Sequence, residues 1–311
     1  MIDTGLQTAA IVILNKPYGM TSQQAVTRVK RLLGYKKAGH SGILDPAVTG
    51  VLPIFLGRAT RLAEYLSNEN KQYDACAVFG RATDTQDATG VTTATGNVHT
   101  LRKEAIVDAL MSFVGEYWQT PPAYSAIHVQ GVRAYELARK GQDVNLAARL
   151  VTIDHISVCE IDLDTDEPFV RFSVSCSKGT YIRTLCHDLG DKLYVPAHMK
   201  NLIRTKTGPF TLSDAHSLAT IEERKEDVLL QPESAVPAMA QWIVTDEQWQ
   251  QVMHGVSLQC SVEFLQAVPG TLVRIHNKYG FFGAIYAVQD VNASWLTLHA
   301  VKVFMNAEGS P

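Results

Sequence analysis

The sequence predicts an α+β protein in two parts: a large unit over residues 1–245 that mixes strands and helices, and a small β-barrel over 246–311. Three observations carry this reading. Apolar patterns of period two and of helical period are interleaved over the first 210 residues; a looser stretch with ERKED and QPESAVP, 211–245, reads as a helical connector; and short strands separated by turn glycines follow. The chain shows no internal repeat and no low-complexity tract.

Residues 10–14 form a buried strand ending at Asn15-Lys16-Pro17, and the Tyr18-Gly19 turn delivers Thr21 and Ser22 as N-cap residues. Val26, Val29 and Leu33 make one helical stripe with Arg28, Lys30 and Arg31 off it, and Gly34 closes the helix. The glycine-rich stretch GHSGILDPAVTG occupies 39–50. A short helix at 57–67, a strand at 72–80 and a loop or irregular hairpin at 80–97 come next. Thr100 caps a helix over 101–114 that turns Ile106, Leu110 and Phe113 inward, prolines extend QTPPAYSA, and RAYELARK at 133–140 is a short basic helix. Strands are expected at 150–161 and 168–176, then a helix from about Thr180 with Ile182, Leu185 and Leu189 as its buried stripe. Arg183 lies off that stripe, on the face of Thr180, Thr184 and His187, so its guanidinium is expected to meet a groove or solvent, where it suits a carboxylate or a phosphate. Beyond 245, a helix ending at His254-Gly255 precedes the strands VSLQC, TLVRIHN, GFFGAIYAV and WLTLHAVKVF.

With 46% hydrophobic and 19% charged residues, the 311-residue chain has the composition of an ordinary globular protein. Apolar runs such as AAIVIL fall far short of the ~20 residues of a membrane helix, and the N-terminus lacks a basic secretory region, so a cytoplasmic protein is expected. The five cysteines form no CxxC pair and no zinc pattern, which points to reduced thiols. A net charge of -3 argues against a general polycation but leaves local basic clusters free to bind RNA. VKRLLGYKK (29–37), RAYELARK and KNLIRTK (200–206) are such clusters, and each alone reads as a solvated helix face. Signatures of NTP hydrolysis, dinucleotide binding, zinc proteolysis and calcium binding are missing. GHSGI departs from the GxSxG nucleophile elbow at Ile43, which makes Ser41 a weak hydrolase candidate. No residue pattern signals a metal or an organic cofactor. Asp45 stands before Pro46, and the dipeptide alone leaves open whether it opens a turn or does chemistry.

Six blocks in order settle what the chain resembles: LNKPYGMTS (14–22), GHSGILDPAVTGVLPIFLGRATRL (39–62), KQYDACAVFGRATDTQDATG (71–90), PPAYSAIHVQGVRAYELAR (121–139), CSKGTYIRTLCHDLG (176–190) and AHMKNLIRTKTGPF (197–210). They resemble the TruB-type tRNA pseudouridine synthases, which make pseudouridine at uridine 55 in the T-loop of tRNA. The resemblance implies a mixed central β-sheet flanked by helices, with RNA in a cleft across it, a thumb-like insertion at about 124–150, and a C-terminal PUA domain. It places Asp45 on the catalytic aspartate, His40 on the histidine that fills the space of the extruded uridine, and Tyr73 on the tyrosine that stacks on the target base. Arg183 falls on the arginine that pairs with the catalytic carboxylate, Tyr181 and Leu202 on pocket-lining positions, and Lys16 and Pro17 on the motif that supports the active-site loop. His128 stands where many family members have lysine.

The implied reaction breaks the N1–C1′ bond, turns the uracil and joins C5 to C1′, so it requires no cofactor and no metal. The base must leave its stack, at a few kcal/mol, and stacking by Tyr73 and His40, worth roughly 1–3 kcal/mol per base, would offset this. Gly39, Gly42 and Gly50 are expected to take backbone conformations closed to other residues and to let RNA approach. Asp45 could add to C1′ or remove a sugar proton, and the sequence does not choose. The expected partner is tRNA, with no membrane, no obligatory protein partner and a monomeric state. Two rivals are a non-catalytic RNA chaperone with a PUA domain and a guide-RNA-dependent synthase; Asp45, Tyr73 and Arg183 argue against the first, and the thumb and lack of basic tails against the second.

Overall fold

The computed structural model describes residues 9–129, 131–263 and 267–304. β1 (Ala10–Lys16) is buried at every position except Asn15 and leads to α1 (Ser22–Leu32), capped by a reciprocal Thr21–Gln24 box. β2 (Ala38–His40), β3 (Thr49–Leu56), α2 (Ala63–Ser67), β4 (Lys71–Phe79) and the hairpin β5 (Arg81–Thr83) with β6 (Thr92–Thr95) follow. Next come α3 (Lys103–Met111) and β7 (Gly115–Gln119), then an insertion with β8 (His128–Val129), β9 (Val132–Arg133) and α4 (Ala134–Arg139). β10 (Arg149–Asp162), β11 (Phe169–Cys176), α5 (Ile182–Lys192), β12 (Ala197–Thr207) and β13 (Phe210–Thr211) complete the large unit.

Nine of these strands form one sheet, ordered β1-β3-β12-β4-β11-β10-β7, with β2 beside β3 and β13 beside β12. Only β3 and β12 run parallel, through Ile203↔Thr49 and Arg204↔Gly50, so the sheet is mixed as expected. Period-two burial explains the layering: Val170, Phe172, Val174 and Cys176 of β11 enter a core shared with Val26 and Val29 of α1, Ile106 and Leu110 of α3, and Leu185 and Leu189 of α5. On the other face, Ile11, Ile13, Val51 and Phe55 pack with Leu62, Leu66 and, from the C-terminal unit, Ile285 and Phe304.

Several expectations shift. The helix at 57–67 opens as a 3₁₀ segment, Gly57–Leu62, before α2. The helix expected from Thr100 starts at Lys103, with Arg102 at its cap, and ends at Met111 although Phe113 stays buried. α5 begins at Ile182, because Thr180 spends its hydroxyl on the Ser177 carbonyl in the preceding turn. The connector holds α6 (Leu218–Arg224) and 3₁₀ turns, and bridges back to β1 at Ile11↔Leu230 and Leu14↔His216.

The second sheet starts before the expected boundary at 245/246. β14 (Ala240–Ile243) pairs parallel with β16 (Leu272–His276), and four residues are too few to betray a strand whose partner lies thirty-three positions on. With α7 (Asp246–Met253), β15 (Leu258–Ser261), β17 (Phe282–Val291) and β18 (Trp295–Val303), it makes a curled five-stranded sheet, ordered β14-β16-β17-β18-β15, consistent with a small barrel-like domain. Its own core holds Val252, Leu258, Val273, Ile275, Tyr286 and Leu298. Arg61 donates to the Val303 carbonyl and Lys302 pairs with Glu64, which seats this sheet on the segment leaving β3.

Candidate active site

The turn at Asp45-Pro46 closes when the Val48 amide donates to the Asp45 carbonyl at 3.0 Å. Three elements then hold it in place. Ser22, at the start of α1, donates its hydroxyl to the Leu44 carbonyl (3.0 Å) and accepts from the Leu44 amide (2.9 Å). The Gly19 amide donates to the Pro46 carbonyl at 2.8 Å. Lys16, buried at the end of β1, donates to the carbonyls of Pro17 (2.9 Å), Met20 (2.7 Å) and Pro46 (3.3 Å). Burial draws the Lys16 pKa down to about 8 against the opposing pull of Asp45. Lys16 and Pro17 thus join the N-terminal loop to the Asp45 turn. Replacing Ser22 by Ala leaves both polar groups of Leu44 unpaired beneath the loop, at about 1–3 kcal/mol each. Ser22→Ala is expected to lower Tm by several degrees, checked by thermal denaturation.

Asp45 faces Arg183 across 3.4 Å, with side-chain exposures of 41% and 7%. The same Nη2 of Arg183 donates to the Tyr124 carbonyl at 2.6 Å, so the root of the insertion is tied to the ion pair. Arg183 therefore reaches the groove as expected, but it is buried there, not solvated. The first turn of α5 is covered by the insertion and by Gln86, which accepts from Thr184 at 2.7 Å, so its buried side extends beyond the apolar stripe. The Arg183 guanidinium lies 5.7 Å from the Tyr181 ring centroid. Tyr181 caps α5 and is held by Gln119 at the end of β7, whose amide side chain accepts from the Tyr181 amide (2.7 Å) and donates to its carbonyl (3.0 Å).

The pair borders a cavity of about 400 Å³, lined on its apolar side by Val48, Tyr73, Met199 and Leu202 and elsewhere by Tyr181, Lys71 and Arg204. Asp45, Tyr73, Tyr181, Arg183 and Leu202 thus converge on one cavity. His40 does not line it. It ends β2 opposite Ile54, its Nδ1 is buried without a hydrogen-bond partner among the described residues, and burial with the nearby Arg204 charge lowers its pKa.

Arg204 is the residue that sequence reasoning missed. KNLIRTK is not a helix face: it belongs to β12, and Arg204 is 1% exposed. Its Nε donates to the Val51 carbonyl (2.8 Å), its Nη2 to Gly42 (3.3 Å), and it also bonds the Tyr73 hydroxyl. Among the described residues it forms no ion pair with a carboxylate. The only signal in the sequence was strand periodicity, which a basic run masks. Gly42 and Gly50 have positive φ (76° and 103°), as expected, but Gly39 does not, and what comes close to Gly50 is the Arg204 backbone, within the protein itself.

Ser41 is buried and its hydroxyl has no hydrogen-bond partner among the described residues, so no base stands ready to activate it. His187, Asp188 and Asp191 bring ligand atoms within 4.8 Å of one another on α5, yet Asp188 already accepts from the Tyr117 hydroxyl and none of the three lines the cavity. No helix among the described residues is long and apolar enough to cross a membrane.

Asp45, the buried Arg183 and the Tyr73 ring thus share one cavity. Two family models divide most of the large unit between them: the TruB family pseudouridylate synthase N-terminal domain over 30–182 and the tRNA pseudouridylate synthase B C-terminal domain over 183–236. By class the protein is a pseudouridine synthase, an isomerase. The tRNA pseudouridine synthase B of Geobacillus thermodenitrificans is 42% identical over 277 residues, 85% of this chain and 90% of that one. The protein of the same name from Bacillus subtilis is 39% identical over 283 residues, 89% and 92% of the two chains. The chain belongs to the TruB family of pseudouridylate synthases. Its fold is similar to a chain of the solved Cbf5-Nop10-Gar1 complex, with TM-score 0.73 and 28% identity over 96% of this chain and 86% of the other. It is likewise similar to a chain of an H/ACA RNP bound to a substrate RNA containing 2′-deoxyuridine, with TM-score 0.74 and 26% identity over 100% and 89%.

Proposed function

We propose that this protein converts uridine 55 in the T-loop of tRNA to pseudouridine, acting alone, as a monomer, in the cytoplasm. The observation that carries the reading is the Asp45–Arg183 pair at the cavity that Tyr73 also lines. Arg183 pairs with the Asp45 carboxylate and leaves it partly exposed to the entering nucleotide. The uracil stacks on Tyr73, and Leu202, Met199 and Val48 replace water around it. Asp45 acts on the sugar, either by adding to C1′ and leaving when C5 attacks, or by removing a C2′ proton that it returns when C5 bonds to C1′. The N1–C1′ bond breaks, the base turns, C5 bonds to C1′, and the C5 hydrogen leaves to solvent while N1 gains one. His40, outside the cavity, fills the vacated stack in the RNA as a neutral imidazole. The insertion over 124–150 acts as a thumb, and the C-terminal sheet as a PUA domain that contacts the rest of the tRNA.

The test uses the purified protein alone with an unmodified tRNA transcript labelled with tritium at C5 of uridine. Release of one tritium per tRNA, with the modified position mapped to the T-loop, is the expected result. No release by folded protein would sink the enzymatic reading; release only on adding a guide RNA or accessory protein would favour the assembly-dependent type.

A further inference from the structure

The surface that leads to the Asp45 loop has a charge asymmetry that the cavity does not use. Between Asp3 and Asp45 the chain has no acidic residue, although its net charge is -3, and Lys16, Arg28, Lys30, Arg31, Lys36 and Lys37 all fall in that interval. Lys16 is buried in the loop, and Arg28 stands 3.7 Å from Glu222. Because α1 buries Ala25, Val26 and Val29, it turns Gln23, Gln24, Thr27, Arg28 and Arg31 outward, where they line a shallow groove. Arg31, Lys36 and Lys37 are exposed and form no ion pair among the described residues.

Lys30 and Arg31 occupy the last turn of α1, where cations also favour the helix dipole. Lys36 and Lys37 lie past the helix end, and the dipole gives no reason for them. The backbone at Lys37 is fixed, since its carbonyl accepts from the Gly57 amide at 2.8 Å. β2 then runs directly from Ala38 to His40, so at ~3.3 Å per residue Lys37 lies about 10 Å from His40. A nucleic-acid strand places several phosphates within such a span.

We propose that Arg31, Lys36 and Lys37 form a phosphate-binding tract for the RNA strand that flanks the nucleotide entering the cavity. The proposal rests on the function given above, and charge complementarity selects the occupant: a polyanionic backbone fits an exposed basic strip, without ion pairs among the described residues, that leads through β2 to His40. The side-chain amides of Gln23 and Gln24 in the α1 groove offer neutral hydrogen bonds beside Arg31, whereas the Thr27 hydroxyl already donates to the Gln23 carbonyl.

The experiment compares wild-type protein with K36Q/K37Q in tRNA binding across a salt series, with single-turnover tritium release at saturating enzyme. Removing two phosphate contacts is expected to flatten the log–log salt slope by about 2 and to shrink the affinity gap about ten-fold between about 50 and about 200 mM salt. The saturated single-turnover rate is expected to be unchanged. An unchanged slope and Kd would overturn the tract while leaving the enzymatic reading intact; a flattened slope in a protein that releases no tritium would separate the two the other way. Equal loss of affinity for an unstructured oligonucleotide would overturn the placement beside the target. For R31Q, a lower Tm with the wild-type slope would assign that residue to the helix dipole and remove it from the tract.

Discussion

Asp45→Asn is expected to reduce pseudouridine formation by about 10⁴-fold or more, the scale seen when an enzyme loses its central reacting group. The turn itself should survive, because its closing bond uses the Asp45 carbonyl and its tethers run through Leu44 and Pro46. The amide matches the carboxylate in size and can still accept a hydrogen bond, but it carries no charge to neutralise Arg183, whose side chain is 7% exposed, and is too weak a nucleophile and base for the proposed step at the sugar. Tritium release and tRNA affinity measured on the same preparation separate these effects. Release near the wild-type rate would remove Asp45 from the chemistry; lost binding together with a lower Tm would make it a structural residue.

The largest effect on stability is expected at Gly50. Its φ of 103° is strained for any residue with a side chain, and a Cβ there would lie 2.3 Å from the Arg204 carbonyl oxygen, an atom of the adjacent parallel strand. Neither backbone can give way without opening the β3–β12 pairing. Gly50→Ala is expected to cost more than about 4 kcal/mol and to appear as insoluble or unfolded protein. Gly141 supplies the control, since its φ is 70° with nothing within 4 Å of its Cβ position. Gly141→Ala should cost only about 1 kcal/mol of strain. Similar Tm losses in the two variants, read by thermal denaturation, would refute the steric argument.

What could be read in the sequence was what is local. The Asp45-Pro46 turn, the Thr21 cap, the alternation of β11 and the stripe of α5 depend on residues within a few positions of one another. The motif blocks single out Asp45, Tyr73, Tyr181, Arg183 and Leu202, and these five residues line one cavity. Arg204 escaped because its partners, Gly42 and Val51, are distant in sequence, and a buried arginine among lysines looks like a solvated one. Gln119 escaped likewise, as nothing near it signals that it holds Tyr181. β14 escaped for the same reason: it becomes a strand only by pairing with β16.

The Gly42 carbonyl and the Arg204 guanidinium that grips it are 162 residues apart, and Lys16 and Pro46 are 30 apart. A chain emerging from the ribosome cannot arrange the Asp45 loop until β12 has cleared the exit and closed against β3. Contacts of such long sequence separation form late, after the loop-closure entropy has been met. Chains that stop short of β12, which ends at Thr207 of 311 residues, would therefore carry the aspartate without the scaffold that aims it.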